Sequence, residues 1–404
     1  MLTENQIDKL IQPLINRQTQ IEISVLSVIA ERLKDIQTMT PSDIYKLERL
    51  LKSGSDVRKI NAQISKLSGL SENEIKKIIK EVAKDAYKDA KPFYDYRHKS
   101  YISFEKNKQL QATVKAIEKA TLGEYKNLSN TTAFMLRDIN NPLIIRPTSL
   151  SKAYNKLIDM AIQTVAGGFD SYNVVIPNIV QNLIDKGITS VEYIDENGVK
   201  RYKRLDAAVK QTILNGVRDI NQQVQNVVGE QFGANGVELS VHQYSAPDHE
   251  PIQGHQFTME EFNKLQTGQD FEDINGVKFK SIDRPIGMWN CRHFAWNIVI
   301  GHKTPNYTPE QLENLKQVNS NGITVKDKHG KAVKKSMYWC TQRRNKYELD
   351  IKKAKEGIEI SKKAGQSNLQ DKYQQRHDKL QKQYANFCKK CGLQPRWENT
   401  RIFV

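Results

Sequence analysis

The chain has 404 residues, 38% of them apolar and 27% charged, with a formal net charge of +16. No apolar run approaches the roughly 20 residues of a membrane helix, and four cysteines in this length do not make a disulfide scaffold. The start, MLTENQIDKL, lacks the basic and apolar parts of a secretory signal, so the expectation is reduced thiols, synthesis in a cytoplasm and no membrane partner.

A positive excess of this size points to polyanions, nucleic acid before membrane. The length corresponds to about two or three domains.

Helix follows helix in the first third. TPSDIYKLERLLK has Thr40 as N-cap and Pro41 at the first helical position. SENEIKKIIKEVAKDAYKDA opens with a capping box, Ser71 and Glu74. Its residues Ile75, Ile78, Ile79, Val82, Ala83, Ala86 and Tyr87 form one apolar stripe. The helical pattern continues over 100–121. RDINNPLIIRPTSL is a break, since Asn141-Pro142 and Arg146-Pro147 oppose helix, and a boundary belongs there. Residues 1–140 then form a helical region that packs partly on itself and partly on a partner.

The middle alternates. SKAYNKLIDMAIQTVAGGF and SYNVVIPNIVQNLIDKGI are two helices, with Gly167-Gly168 between them and Pro177 near a start or kink. TSVEYI and VKRYKRL flank Asp-Glu-Asn-Gly as a hairpin. DAAVKQTILNGVRDINQQVQNVVGEQFG is a long amphipathic helix ending at Gly233. The strand VELSV and a second capping box, Thr258 and Glu261, follow.

The last third returns to helix, as MYWCTQRRNKYELDIKKAKEGIEISKK and NLQDKYQQRHDKLQKQYANFCKK with a pause at Gly365. Between Lys331 and Cys391 stand 17 Lys+Arg against 6 Asp+Glu, so most of the net charge lies here. The plain reading is a solvated helical hairpin. The sharper one is an arm that neutralises DNA phosphates without base specificity, through Arg343, Arg344, Lys352, Lys353 and Lys355. The fold class expected is mainly α with a small α+β middle domain, long helices at both ends around a short-stranded sheet. The regions are 1–140, 148–334 and 335–404.

His and Cys chemistry concentrates in two middle segments, SVHQYSAPDHEPIQGHQF and GMWNCRHFAW. Three readings are open. As a nucleophile, Cys291 would use His249 or His293 as base, Arg292 to lower its pKa and Asp248 to orient the base. As a metal site, His242, His249, Cys291 and His293 supply four ligands fit for zinc, the one cofactor considered. Their spacings are not those of a standard finger. As a structural knot, the histidines bond backbone carbonyls and Asn290 or Arg292 ties two loops together. The knot is the reading adopted, with His249 close to Cys291 or His293. CKKC at 388–391 has no second pair and carries little.

These two segments resemble the phage minor capsid protein 2 family. The matching positions are His242, Ala246, Pro247, His249, Gln253, Gly254, Phe257, Gly287, Asn290, Cys291, Arg292, His293 and Gly301. LDAAVKQTILNGV and TQRRNKYELDIKKAK resemble the family's flanking helices, so the resemblance covers roughly residues 148–390. The MuF head proteins are similar at greater distance. An arginine that the family places between Ala246 and Pro247 is missing, and Asp248 follows Pro247 instead. The resemblance implies a minor capsid protein inside the head of a tailed bacteriophage. It would be assembled in the host cytoplasm beside the portal, the capsid or the scaffold, touch the packaged double-stranded DNA, and be a candidate for ejection with it. The alternative is a Cys/His hydrolase or effector enzyme delivered with the genome. No catalytic residue is assigned on the structural reading.

Overall fold

Two helices of 34 residues open the chain, α1 (Glu4–Gln37) and α2 (Ser55–Lys88). The structure, a computed structural model, describes residues 4–37, 54–130, 133–137, 145–166, 172–194, 200–273, 276–282, 284–287, 291, 293–327 and 329–402. The helix expected at Thr40–Lys52, the glycine pair 167–168 and the turn at 195–198 lie outside these residues.

The apolar stripe of α2 from Ile75 to Tyr87 is buried, as its spacing predicts. The helix start does not fall at Ser71. α2 runs unbroken through it, and the buried Ser71 hydroxyl donates to the Leu67 carbonyl one turn back, at 3.1 Å. Glu74 pairs with Arg17 of α1 instead of closing a capping box. After α3 (Lys91–Tyr96), α4 spans Lys108–Asn130. The helical pattern expected from residue 100 begins late because Asn107 accepts the Leu110 N–H at 3.1 Å, an N-cap. The turn before it lays Tyr101 flat on Tyr87, ring centroids 4.9 Å apart.

The expected break at 137–150 contains a strand. β1 (Ala133–Arg137) and β2 (Ile145–Ser149) join β3 (Ile188–Ile194) and β4 (Lys200–Arg204) in an antiparallel sheet of order β2-β1-β3-β4. Pro147 sits in β2, at the sheet's edge, where a strand tolerates a residue with no N–H to donate. The strands β3 and β4 are the expected hairpin. The two expected helices are α5 (Leu150–Ala166) and α6 (Tyr172–Lys186), with Pro177 inside α6.

α7 (Leu205–Phe232) closes on Gly233, whose N–H reaches the Gly229 carbonyl at 2.9 Å. Against α7 lies a second sheet, in which β5 (Gly236–Leu239) runs between β6 (Gln256–Thr258) and β9 (Ala295–Ile298). Asn297 of β9 clamps it to α7, donating from Nδ2 to the Gln225 carbonyl at 2.6 Å. The Thr258–Glu261 capping box is present and starts α8 (Met259–Gln266). A short pair, β7 (Phe271–Glu272) and β8 (Lys278–Phe279), covers the sheet's aromatic end. Then follow α9 (Pro309–Ser320), the hairpin β10 (Ile323–Lys326) and β11 (Ala332–Lys335), and two paired helices, α10 (Met337–Lys363) and α11 (Ser367–Cys391). The architecture is mainly α with small antiparallel sheets, as expected.

The largest core runs through all three regions read from the sequence. It joins Ile11 and Leu26 of α1 and Ile79 of α2 to Ile158, Val180 and Ile220 of the middle, then to Ile360 and Tyr373 at the C-terminal hairpin. The apolar stripes of 1–140 are therefore buried within the chain itself. The C-terminal segment is not an exposed arm along its whole length. α10 packs on α1 and α6, and its Ile351, Ala354, Gly357 and Ile360 are buried. Gly357 lets the Tyr373 ring lie against the helix backbone, since a Cβ there would meet the ring at 2.5 Å.

Candidate functional site

Antiparallel pairing gathers the His/Cys segments. Leu239 at the end of β5 stands opposite Ala295 at the start of β9, so the chain leaving one strand and the chain entering the other share one end of the sheet. His242 lies just past β5 and His293 just before β9. Residues 246–253 fold there as tight turns. The N–H groups of His249 and Glu250 both reach the Ala246 carbonyl at 3.0 Å, and the Gln253 N–H reaches the His249 carbonyl at 3.2 Å. One helical turn apart, His249 and Gln253 project to the same side. Gly254 ends the turn with φ +74, and a Cβ there would press on Leu312 and Val241 at 2.6 and 2.9 Å.

At the centre Cys291 Sγ lies 3.3 Å from His249 Nδ1 and 3.5 Å from His293 Nδ1. The tautomers follow from the far side of each ring. His249 Nε2 is 2.7 Å from the Arg284 carbonyl oxygen, which can only accept, so Nε2 carries the proton. Gln253 Oε1 accepts the His242 backbone N–H at 2.9 Å, which fixes the amide, and stands 3.4 Å from His293 Nε2. That nitrogen is also the donor. Both rings thus turn an unprotonated Nδ1 toward one sulfur. Beneath the cluster is a small apolar core of Val237, Leu239, Ile252, Phe257 and Ala295, with Cys291 packed against it.

Burial sets the electrostatics. His249 and His293 are buried and Cys291 half-buried. Burial pushes the His249 pKa down and the His293 pKa far down, so both are neutral, and it raises the Cys291 thiol. For Asp248, burial works against the charge, but the Arg284 guanidinium wins and holds the carboxyl below its usual range. That pair is bidentate, both contacts at 2.7 Å, and Asp248 Oδ2 also lies 3.6 Å from His249 Nε2. Arg284 belonged to no motif; in the sequence only the Arg-Pro step distinguishes it.

Of the residues singled out, His249, Gln253, Cys291 and His293 meet directly. His242 stands edge-on to His293, centroids 4.3 Å apart, and its ring is not among the ligand atoms that converge, which are those of His249, Cys291 and His293, all within 4.8 Å of one another. Asn290 and Arg292 lie outside the described residues. Chemically, the centre is a thiol between two nitrogen lone pairs. A nucleophilic role needs thiolate, and burial opposes it here. The groove lined by Gln6, Leu10, Lys84, Tyr87 and Tyr101 includes none of the cluster.

The cations chosen on sequence are largely engaged. Lys352 is buried 3.5 Å from Asp206. Lys355 donates to Thr400 at 3.3 Å. Arg343 lies over the Tyr347 ring, and Arg344 donates to the Gln394 carbonyl at 3.3 Å. Lys353 is half-buried, and burial lowers its pKa. In the two C-terminal helices the exposed cations are Lys346 and Lys362 on α10 and, more densely, Lys372, Arg376, Lys379, Lys382, Lys389 and Lys390 on α11. Cys388 and Cys391 are buried with Cys340 in the apolar core between α10 and α11.

No curated protein and no solved structure matches the chain. A family model described as phage minor capsid protein 2 matches residues 2–389, and so takes in the N-terminal helices as well as the His/Cys segments. On a match of nearly the whole chain, it belongs to the phage minor capsid protein 2 family.

Proposed function

We propose that this minor capsid protein works inside the phage head, beside the portal, with the outer face of α11 against packaged DNA. Family membership gives the structural role in a phage particle. The observation that supports the DNA contact is the distribution of charge on α11. Lys372, Arg376, Lys379 and Lys390 fall on one exposed face; Lys382 and Lys389 lie to one side of it, interspersed with the exposed Asp371 and Asp378, while Leu369, Tyr373, Tyr384 and Cys388 are buried on its other side. The face is roughly 27 Å long at 1.5 Å per residue. It carries no base-reading chemistry, as suits a protein that meets DNA of every sequence.

The His/Cys cluster is read as part of the scaffold and not as a catalytic centre, because a thiol kept protonated by burial is a poor nucleophile at neutral pH. Portal contact rests on the family resemblance. The apolar stripes of the N-terminal helices are occupied inside the chain, so such a contact would use polar outer surfaces. Cross-linking of intact, DNA-filled heads followed by mass spectrometry tests the reading. Links from α11 to DNA and from any outer face to the portal are expected, along with protection from membrane-impermeant lysine labels until the head is opened. Labelling of α11 lysines in intact heads would overturn it.

A further inference from the structure

The centre where β5, β9 and the 246–253 turns meet has a shortage of protons. Two Nδ1 lone pairs face one sulfur, and a neutral thiol has one proton to share between them. The second nitrogen then meets sulfur lone pair to lone pair, in a site with little access to water. A cation removes the conflict. With metal–sulfur bonds of about 2.3 Å and metal–nitrogen bonds of about 2.0–2.1 Å, a tetrahedral zinc ion separates its sulfur and nitrogen ligands by about 3.5–3.6 Å. The two separations here are 3.3 and 3.5 Å.

We propose that His249 Nδ1, Cys291 Sγ and His293 Nδ1 form a site for one transition-metal ion, zinc being the ion that this mix of imidazole and thiolate suits. On binding, the Cys291 proton leaves to solvent and the thiolate, with two neutral imidazoles, gives a ligand set of charge −1. The supporting groups are already in place. Each ring donates its other N–H to a fixed oxygen, the Arg284 carbonyl for His249 and the Gln253 amide for His293. Such outer partners orient metal-bound histidines and raise their basicity. Asp248 adds a carboxylate behind His249, itself held by Arg284. Three protein ligands leave one tetrahedral position that the chain does not fill. The ion would join the turn after β5 to the segment before β9, two stretches 42 residues apart, and so tie down the end of the sheet.

The full chain, stripped by chelator under reducing conditions, is titrated with cobalt(II) and then zinc(II). The proposal expects a thiolate-to-cobalt charge-transfer band that saturates near one equivalent and is displaced by zinc. The band should be lost in Cys291→Ser and weakened at least about tenfold in His249→Ala. It should persist in His255→Ala and in a Cys388→Ser/Cys391→Ser double variant, which removes two of the three thiols buried in the C-terminal core. Should Cys291→Ser fail to fold, X-ray absorption at the zinc edge of the wild-type protein decides, with one sulfur and two nitrogen neighbours expected. A folded wild-type chain that gives no band, a band that survives in folded Cys291→Ser but vanishes in the double variant, or an edge spectrum without sulfur would each overturn it.

Discussion

Arg204 Nη2 lies 2.7 Å from Glu22 Oε2, across 182 residues of sequence. The same guanidinium nitrogen stands 3.1 Å from Glu356 Oε2, and Arg204 Nε 3.4 Å from Asp206. Lys352 completes the group at 3.5 Å from Asp206. One buried cluster of charges therefore joins α1, the start of α7 and α10. It explains how a segment rich in Lys and Glu can pack inside a protein.

Removing one partner from such a cluster leaves buried carboxylates uncompensated, at a cost of about 3–5 kcal/mol. Arg204→Ala should lower the unfolding free energy by that amount in denaturant titration. Glu22→Gln, which leaves Arg204 with Glu356 and Asp206, should cost less. An unchanged midpoint for Arg204→Ala would mean that the cluster does not hold the regions together.

Acid should dismantle the cluster in a definite window. Burial would raise the Asp206 pKa, but Arg204 and Lys352 outweigh it and bring it down to about 2. A carboxyl with a depressed folded pKa contributes stability that is present above its unfolded value of about 3.9 and lost as pH falls through the folded value. Unfolding free energy should thus decline between about pH 4 and pH 2. Asp206→Asn, destabilised throughout, should show a shallower slope over the same window. Equal slopes would assign the acid sensitivity to other carboxylates.

Gly187 seals the cluster from the side. It follows α6 with φ +63, and a Cβ there would overlap the Glu22 carboxylate and come within 2.9 Å of Arg204 Nη1. Gly233 also has a positive φ, +74, but a Cβ there would meet nothing within 4 Å. Gly233→Ala should cost about 1 kcal/mol, the conformational strain alone. Gly187→Ala should cost about 2–4 kcal/mol, because it also disturbs a buried ion pair. Thermal unfolding of the two variants makes the comparison, and equal shifts would refute it.

What could be read from the sequence follows from where each signal lies. Thr258 and Glu261 are local, and their capping box forms as written. Ser71 and Glu74 show the same pattern, but Ser71 is buried mid-helix and Glu74 is drawn to Arg17, so tertiary packing overrides the cap. The meeting of His249 with Cys291 was legible because each follows or precedes a strand of a pairable sheet. The tautomers were not, since they depend on Arg284 and on the orientation of the Gln253 amide. α10 misled most. Its Lys352 and Glu356 look like surface charges in sequence, yet their partners Asp206 and Arg204 lie about 150 residues away. Charge counted along the chain cannot reveal pairing at that range.

The same distinction sets the DNA test. If Arg343, Arg344, Lys352, Lys353 and Lys355 were the contact, neutralising them would weaken DNA binding and little else. In the structure Lys352 is in the buried cluster and Arg344 is held near Gln394, so Lys352→Gln should lower stability by about 3–5 kcal/mol while the folded fraction binds DNA normally. Neutralising the exposed set, Lys372, Arg376, Lys379, Lys382, Lys389 and Lys390, should leave the melting temperature nearly unchanged, since surface charges contribute little to stability. It should weaken binding to duplexes of every sequence alike. Each lost phosphate contact lowers the slope of log affinity against log salt by about 0.9, so a six-fold glutamine variant should lose up to about 5 units of slope. Fluorescence anisotropy with two unrelated duplexes, across a salt series, measures both quantities. A variant that keeps the wild-type affinity and slope would place the DNA contact elsewhere, on the β10–β11 hairpin with its exposed Lys326, Lys331 and Lys334 as the next face to neutralise.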